Sequence, residues 1–165
     1  MPVKNWLTSP LLPVTAPNPK SDVFVNVQKH MNDWLANDLS LNKIPTKKWT
    51  VHEWLYFINN LPKDIDLERL TELDEKYNLT QATNNETAHA WLLLNIGKNN
   101  PAINGRLDDY MVSIGRRKLI VPLYAALLKD PSKLDFVQGI YDKARPGYHP
   151  LAQGTIDALF EESNN

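Results

Sequence analysis

The sequence predicts an all-α domain of about eight short helices that stack on one another as helical hairpins. From residue 21 onward, apolar side chains recur at spacings of three and four residues, the period of an amphipathic helix. Cap residues, prolines and glycines separate these stretches, and no stretch alternates convincingly as a β-strand. The sequence contains no clear internal repeat, so it does not establish a solenoid of repeated helical units, although it does not exclude one.

The first 20 residues form a proline-rich lead. They hold five of the chain's 12 prolines, which remove amide donors and favour extended backbone, as in a linker. Trp6 and Leu7 are too apolar for a solvated spacer, so this segment is expected to lie along a packed domain. We therefore predict a proline-rich linker over residues 1–20, which joins two packed domains, and a helical domain over residues 21–165.

Four helices are predicted in the first half of the helical domain, each from a polar cap followed by an apolar stripe. Their starts are Ser21 or Asp22, the capping box of Thr50 with Glu53, Asp66, and the cap of Asn84 with Asn85. Pro62 ends the second helix. The side chains predicted to face inward are Val23, Val27, Met31, Trp34, Leu35, Trp54, Leu55, Ile58, Leu61, Leu67, Leu70, Leu73, Tyr77, Ala88, Trp91, Leu92 and Ile96.

Four more helices are predicted in the second half, mainly from prolines and glycines. Pro101 suits the first turn of the fifth helix, and Gly115 is its expected left-handed stop. The sixth helix is expected from about Pro122, with residues 119–124 as a loop that runs into it. The remaining boundary signals are Asp130 with Pro131 before the seventh helix, Pro146 with Gly147 after it, and Pro150 and Phe160 at the two ends of the last.

Composition excludes several classes of function. The chain has 165 residues, enough to bury a real core, and its 18 Lys plus Arg against 19 Asp plus Glu leave no global basic field, which disfavours nucleic acid and an anionic membrane as partners. The absence of cysteine excludes disulfides, cysteine nucleophiles, thiolate zinc sites and iron–sulfur clusters. The apolar runs are far shorter than the roughly 20 residues that span a bilayer, and no signal peptide can be read.

Most candidate sites have a simpler structural explanation. The residues from His52 to Tyr56 begin like the zinc-protease motif H-E-x-x-H, but Tyr56 stands where the second histidine is needed, and Glu53 already completes a capping box. The other histidines, His30, His89 and His149, lie singly. No serine-nucleophile motif or glycine-rich phosphate loop is present. The sequence therefore predicts no catalytic residue and no metal ligand in this chain.

One local feature has the form of a binding site. Arg116, Arg117 and Lys118 follow Gly115 in a predicted loop between two helices. An arginine held there can bind a carboxylate through two parallel hydrogen bonds, while a nearby lysine adds a point charge. The alternative is an exposed basic turn without function, which local sequence alone favours.

Several short patterns, each present once, follow one another along the chain in a fixed order. They are Trp6-Leu7-Thr8-Ser9-Pro10-Leu11-Leu12-Pro13, Tyr77-Asn78-Leu79, Asn84-Asn85-Glu86, Trp91-Leu92 with Leu94 and Ile96, Gly115-Arg116-Arg117-Lys118 with Pro122-Leu123-Tyr124, and His149-Pro150. Together they resemble the C-terminal helical domain of leukotriene A(4) hydrolase and its bacterial aminopeptidase relatives, a branch of the gluzincin zinc aminopeptidases. The resemblance spans essentially all 165 residues. It departs from the family pattern at Leu11 and Val14, where glycine and proline are usual.

This resemblance implies a two-layered, armadillo/HEAT-like right-handed superhelix that packs on a thermolysin-like catalytic domain in cis and walls one side of its substrate cleft. Zinc, its ligands and the general base would belong to that upstream domain. The full-length parent would be a zinc aminopeptidase, whereas this domain alone would hydrolyse nothing. The family default is a cytoplasmic monomer.

The resemblance also implies roles for two residues. Arg116 corresponds to the family arginine that receives the substrate's carboxylate, the free C-terminus of a short peptide. Lys118 corresponds to its neighbouring lysine, and Arg117 inherits no role. These two positions are the substrate-binding residues that we expect.

A hypothesis of a different class stays open at this point. The chain could be a free-standing helical scaffold without catalytic activity that binds other proteins through a concave face. The proline-rich lead separates the two hypotheses, because a catalytic domain in cis would bury Trp6 and Leu7, whereas a free scaffold would fold them back or lack them.

Overall fold

The structure, a computed structural model, describes residues 22–163, which form eight α-helices joined by turns and 3₁₀ segments and contain no β-strand. The helices are α1 Val23–Leu35, α2 Val51–Asn59, α3 Leu67–Tyr77, α4 Asn85–Gly97, α5 Asn104–Ser113, α6 Arg117–Leu127, α7 Leu134–Ala144 and α8 Pro150–Ser163. The predicted all-α class is therefore confirmed. The predicted linker over residues 1–20 lies outside the described residues, and the superhelical arrangement stays a prediction.

Polar side chains cap three helices where the sequence predicts them. Asp66 accepts a hydrogen bond from the backbone N–H of Arg69 at 2.7 Å, at the start of α3. At α2, the backbone N–H of Thr50 donates to Oε2 of Glu53 at 2.7 Å, which is the acidic half of the capping box. Asn84 caps α4 in a similar way. Each bond satisfies an amide that the helix itself leaves unpaired.

The sixth helix begins at Arg117, not near Pro122 as predicted. Pro122 lies inside α6, where it removes the amide that would bond to the carbonyl of Lys118. The buried side chains of α6 are Leu119, Ile120, Leu123, Tyr124 and Leu127. Burying a large apolar side chain contributes about 1.5 to 3 kcal/mol. Several such side chains outweigh the roughly 3 kcal/mol that an interior proline costs, so residues 119–124 are helical rather than a loop.

Gly115 is not the left-handed stop predicted for the fifth helix. Helix α5 ends at Ser113, Ile114 is extended, and no described glycine has a positive φ. The described non-glycine residues with positive φ are Asn37, Asn78 and Asn99. Asparagine is the non-glycine residue type for which this conformation is most accessible, and Asn78 ends α3 in this way with φ 53°.

Three expectations at helix starts are also wrong. Pro101 begins a 3₁₀ turn, Pro101–Ile103, that precedes α5 instead of forming its first turn. Val23 and Leu67, predicted to face inward, are 44% and 41% exposed. Each is the first residue of its helix, so its side chain lies before the point where the apolar stripe reaches the core.

The core consists of two clusters of buried side chains that meet at α4. Helices α1, α2 and α3 supply half of the first cluster, with most of the rest from the segments between them, and α5 to α8 supply most of the second. Helix α4 contributes Ala90 and Trp91 to the first cluster and Ala88, Leu92 and Ile96 to the second. It is therefore apolar on opposite faces and joins the two halves of the domain.

Replacing Glu53 tests whether it caps α2. Glu53→Ala should lower the free energy of unfolding by about 1 kcal/mol, because the amide of Thr50 loses its acceptor. Urea denaturation measures this change. Glu75→Ala, which replaces an exposed carboxylate within α3, is the control and should change stability by less than about 0.5 kcal/mol. Equal losses in the two variants would contradict the capping role.

Candidate functional site

Arg116 and Lys118 lie at the start of α6, not in the predicted loop. Arg116 occupies the N-cap position with extended backbone, and Lys118 is the second residue of the helix. Their backbone is fixed by Leu119 and Ile120, which are buried directly after them. Their side chains stay exposed, at 62% for Arg116 and 58% for Lys118. The fold therefore presents both cations to solvent from a well-packed helix end.

Glu86 joins these two cations. Its Oε1 accepts a hydrogen bond from Nη1 of Arg116 at 3.0 Å and lies 2.9 Å from Nζ of Lys118. Glu86 is the second residue of α4, and its side chain is 30% exposed. The hydrogen bond from Lys118 is the main cause that lowers the pKa of Glu86 below its usual range, and the charges of both cations act in the same direction. The carboxylate is therefore ionised at neutral pH.

The start of α4, which carries Glu86, is held from two sides. Oδ1 of Asn84 accepts hydrogen bonds from the backbone amides of Glu86 at 3.0 Å and Thr87 at 3.1 Å. The hydroxyl of Tyr110 on α5 donates to the carbonyl of Asn85 at 2.8 Å. Burial raises the pKa of Tyr110 to about 12, so its hydroxyl stays protonated and remains a donor. Glu86 therefore projects from a fixed helix end.

The positive charges at the start of α6 do not stabilise that helix. Arg116, Arg117 and Lys118 all lie at its N-terminus, which carries the positive end of the helix dipole. Cations are favourable at the opposite end of a helix, by about 0.3 to 1 kcal/mol each, so they are unfavourable here by a similar amount. Glu86 offsets part of this charge, and the excess is positive. Such a site suits an anionic group that can accept several hydrogen bonds.

Arg117 points to a different neighbour. Its Nε donates to Oγ1 of Thr155 on α8 at 3.1 Å. Of the three consecutive cations, the structure thus brings Arg116 and Lys118 together on Glu86 and directs Arg117 toward α8.

His89 makes a second link between α4 and α6, one turn beyond Glu86. Its Nδ1 lies 2.8 Å from the carbonyl oxygen of Leu119, and because a carbonyl only accepts, Nδ1 carries the proton of this bond. Burial is the main cause that lowers the pKa of His89, and the charge of Lys118 adds to it. The bond to Leu119 and the charge of Glu86 act in the opposite direction but are weaker. The imidazole is therefore neutral at neutral pH.

The other sequence motifs have structural roles. Glu53 caps α2, and Tyr56, in the place of the second histidine of the zinc motif, donates to Oε1 of Gln28 at 3.2 Å. Nδ1 of His149 accepts from the backbone amide of Leu151 at 3.2 Å. Within residues 22–163, no three His, Cys, Asp or Glu side chains are grouped so as to hold a metal ion. Nor is any helix in this range both long enough and apolar enough to cross a bilayer.

Sequence reasoning missed the parts that Glu86 and His89 play. The sequence marks Glu86 only as the last residue of the family pattern Asn84-Asn85-Glu86, and His89 only as an isolated histidine. Glu86 is 30 positions from Arg116, and His89 is 30 positions from Leu119. The only local signal is an acid in the first turn of a helix, which the helix dipole explains equally well. These contacts depend on how α4 and α6 pack.

Comparison with known proteins finds relatives of this chain. The family model described as "Leukotriene A4 hydrolase, C-terminal" matches residues 49–160. Leucine aminopeptidase 2 of Emericella nidulans is 29% identical over 96 residues, which is 58% of this chain and 15% of that protein. Leucine aminopeptidase 2 of Pyricularia oryzae is 24% identical over 150 residues, which is 88% of this chain and 24% of that protein. The chain thus spans less than a quarter of the length of these curated relatives.

A solved structure has a similar fold. The structure of yeast LTA4 hydrolase in complex with bestatin matches 96% of this chain and 29% of its own chain, with a TM-score of 0.69 and 20% identity. At this identity the likeness concerns the fold alone.

Lowering the pH tests whether burial keeps the imidazole of His89 neutral. Its lowered folded pKa means that the unfolded chain, in which the pKa is about 6.5, binds a proton more readily. The stability that neutral His89 provides is therefore present above about pH 6.5 and is lost as the pH falls toward the lower folded pKa. His89→Asn keeps an N–H donor but cannot titrate.

We expect wild-type stability to fall more steeply than that of His89→Asn between pH 7.5 and 5, as measured by urea denaturation at each pH. Contributions from the rest of the chain are common to both proteins and cancel in the difference. Parallel curves over this range would show that His89 is not held neutral by burial.

Proposed function

The chain belongs to the family of leukotriene A4 hydrolase C-terminal domains, and we propose that it serves as the C-terminal domain of a larger zinc aminopeptidase. In this proposal, an upstream domain hydrolyses the N-terminal bond of a short peptide. The helical domain walls one side of the cleft and binds the free C-terminal carboxylate of that peptide through Arg116 and Lys118.

The observation that carries the proposal is a pair of exposed cations that share one carboxylate oxygen of Glu86, at 3.0 and 2.9 Å. A guanidinium has five N–H donors in a planar fork, and an ammonium has three. Among the described residues, Glu86 takes one donor from each cation. The unused donors of Arg116 can hold a second carboxylate through two parallel bonds, and Lys118 adds its charge.

Binding a peptide by its C-terminus contributes to catalysis through position. A carboxylate fixed at one end of a cleft sets how far the peptide reaches, and so which bond lies at the reacting centre. Holding the reacting bond in a productive geometry lowers the barrier by reducing the entropy that is lost in the reaction step. The arrangement suits short peptides, whose length must match the distance between the two ends of the cleft.

The cofactor and the cellular location belong to the parent enzyme in this proposal. The catalytic zinc is held by the upstream domain, where it supplies Lewis-acid chemistry. We expect the parent enzyme to be cytoplasmic, as is usual for the family that the chain resembles.

The hypothesis of a free-standing scaffold is not favoured. The named relatives are aminopeptidases, and this chain aligns with 15% to 24% of their length. A scaffold would also give no reason for three cations at the unfavourable end of α6.

Truncating Arg116 in the full-length enzyme tests the proposal. Arg116→Ala should lower kcat/KM for a free-acid tripeptide by about 10- to 150-fold, which corresponds to about 1.5 to 3 kcal/mol for a hydrogen bond between charged groups. The same tripeptide as its C-terminal amide should barely be affected, because it has no charged carboxylate. Steady-state kinetics with the two substrates measures the difference.

Arg117→Ala is the matched control, because it removes the adjacent cation, which bonds to Thr155 instead of Glu86. It should leave the ratio of the two kcat/KM values near that of the wild type. If Arg116→Ala reduces activity on both substrates equally, or on neither, Arg116 does not receive the carboxylate.

A further inference from the structure

Glu86 is the least exposed member of the cluster that it forms with Arg116 and Lys118. Its side chain is 30% exposed, whereas those of Arg116 and Lys118 are 62% and 58% exposed. Both cations approach the same atom, Oε1, so their nitrogen atoms cannot be further apart than the sum of those two short distances. One carboxylate thus keeps the two charges together against their mutual repulsion.

The anchor is more rigid than the groups that it holds. Glu86 is in the first turn of α4, whose start is fixed by the side chain of Asn84 and by the bond from Tyr110 to Asn85. Arg116 and Lys118 have long, exposed side chains, which lose much rotamer freedom when a ligand orders them. The bonds to Glu86 restrict the rotamers of these two side chains before the ligand binds, so less conformational entropy is lost on binding.

We infer that Glu86 is a positioning residue for the carboxylate site, holding Arg116 and Lys118 as one preformed clamp whose outward donors receive the substrate. This inference rests on the function proposed above. Glu86 touches neither the peptide nor the reacting atoms and acts through the two cations. The incoming carboxylate binds on the solvent side, so Glu86 stays in place.

The opposite role for Glu86 makes a different prediction. If Glu86 only neutralised the cations, it would compete with the substrate, and removing its charge would tighten binding of a free-acid peptide. If Glu86 positions the cations, removing its charge weakens that binding, because a neutral acceptor makes a hydrogen bond about half as strong and no longer offsets the repulsion. The direction of the change in KM therefore separates the two roles.

Glu86→Gln in the full-length enzyme is the test, with the free-acid tripeptide and its C-terminal amide as substrates. It should raise KM for the free acid about three- to tenfold and lower kcat for that substrate by a smaller factor, because a loosened clamp also positions the peptide less well. Both constants for the amide should stay near wild type, which also shows that the variant is folded. Glu86→Ala, which removes the acceptor entirely, should raise KM for the free acid further. Glu68→Gln, a first-turn glutamate of α3, is the matched control and should change nothing.

A lower KM for the free acid, an unchanged KM, or an equal change with both substrates would overturn the positioning role. Arg116→Ala, measured in parallel, separates this failure from that of the proposed function. If Arg116→Ala lowers activity on the acid but not on the amide, and Glu86→Gln has no such selective effect, the carboxylate site is supported and the role of Glu86 is wrong. If Arg116→Ala does not discriminate, the carboxylate site itself is wrong and the role of Glu86 falls with it.

Discussion

The fold depends on one helix that is buried on opposite faces. Helix α4 contributes Ala90 and Trp91 to the core of the first half of the domain. It contributes Ala88, Leu92 and Ile96 to the core of the second. Each half alone would leave the other face of α4 in water, so the two halves hold together through it. The orientation of α4 therefore also determines where its exposed first turn lies.

The candidate site is a direct consequence of that packing. Helix α6 packs against α4, and the first turns of the two helices meet at the surface. Because the helices are fixed by buried side chains, Glu86 and Arg116 come together although 30 positions separate them. The site has no nucleophile and no metal ligand among these residues. In the function that we propose, its chemistry is recognition of an anion by preordered donors, which suits a domain that positions a substrate for a neighbouring active site.

The sequence predicts interactions between residues that are close together in the chain better than contacts between residues that are far apart in it. Caps such as Asp66 and Asn84 are local, and both were placed correctly from the sequence. The start of α6 was misplaced at Pro122 because the local rule for proline was overridden by burial of its neighbours. The local pattern marks Arg116 and Lys118 only as a basic segment after Gly115, and their substrate-binding role is what the family resemblance implies. Their contact with Glu86 could not be predicted, since it exists only once α4 and α6 have packed.

The central claim is that this helical domain receives the carboxylate of a peptide bound in an adjoining cleft. A crystal structure of the full-length protein with a slowly hydrolysed free-acid tripeptide tests it most directly. The account predicts the peptide's C-terminal carboxylate within hydrogen-bond distance of Arg116 and Lys118, with Glu86 still bonded to both cations. A peptide carboxylate held by other residues, with Arg116 and Lys118 facing bulk solvent, would contradict it.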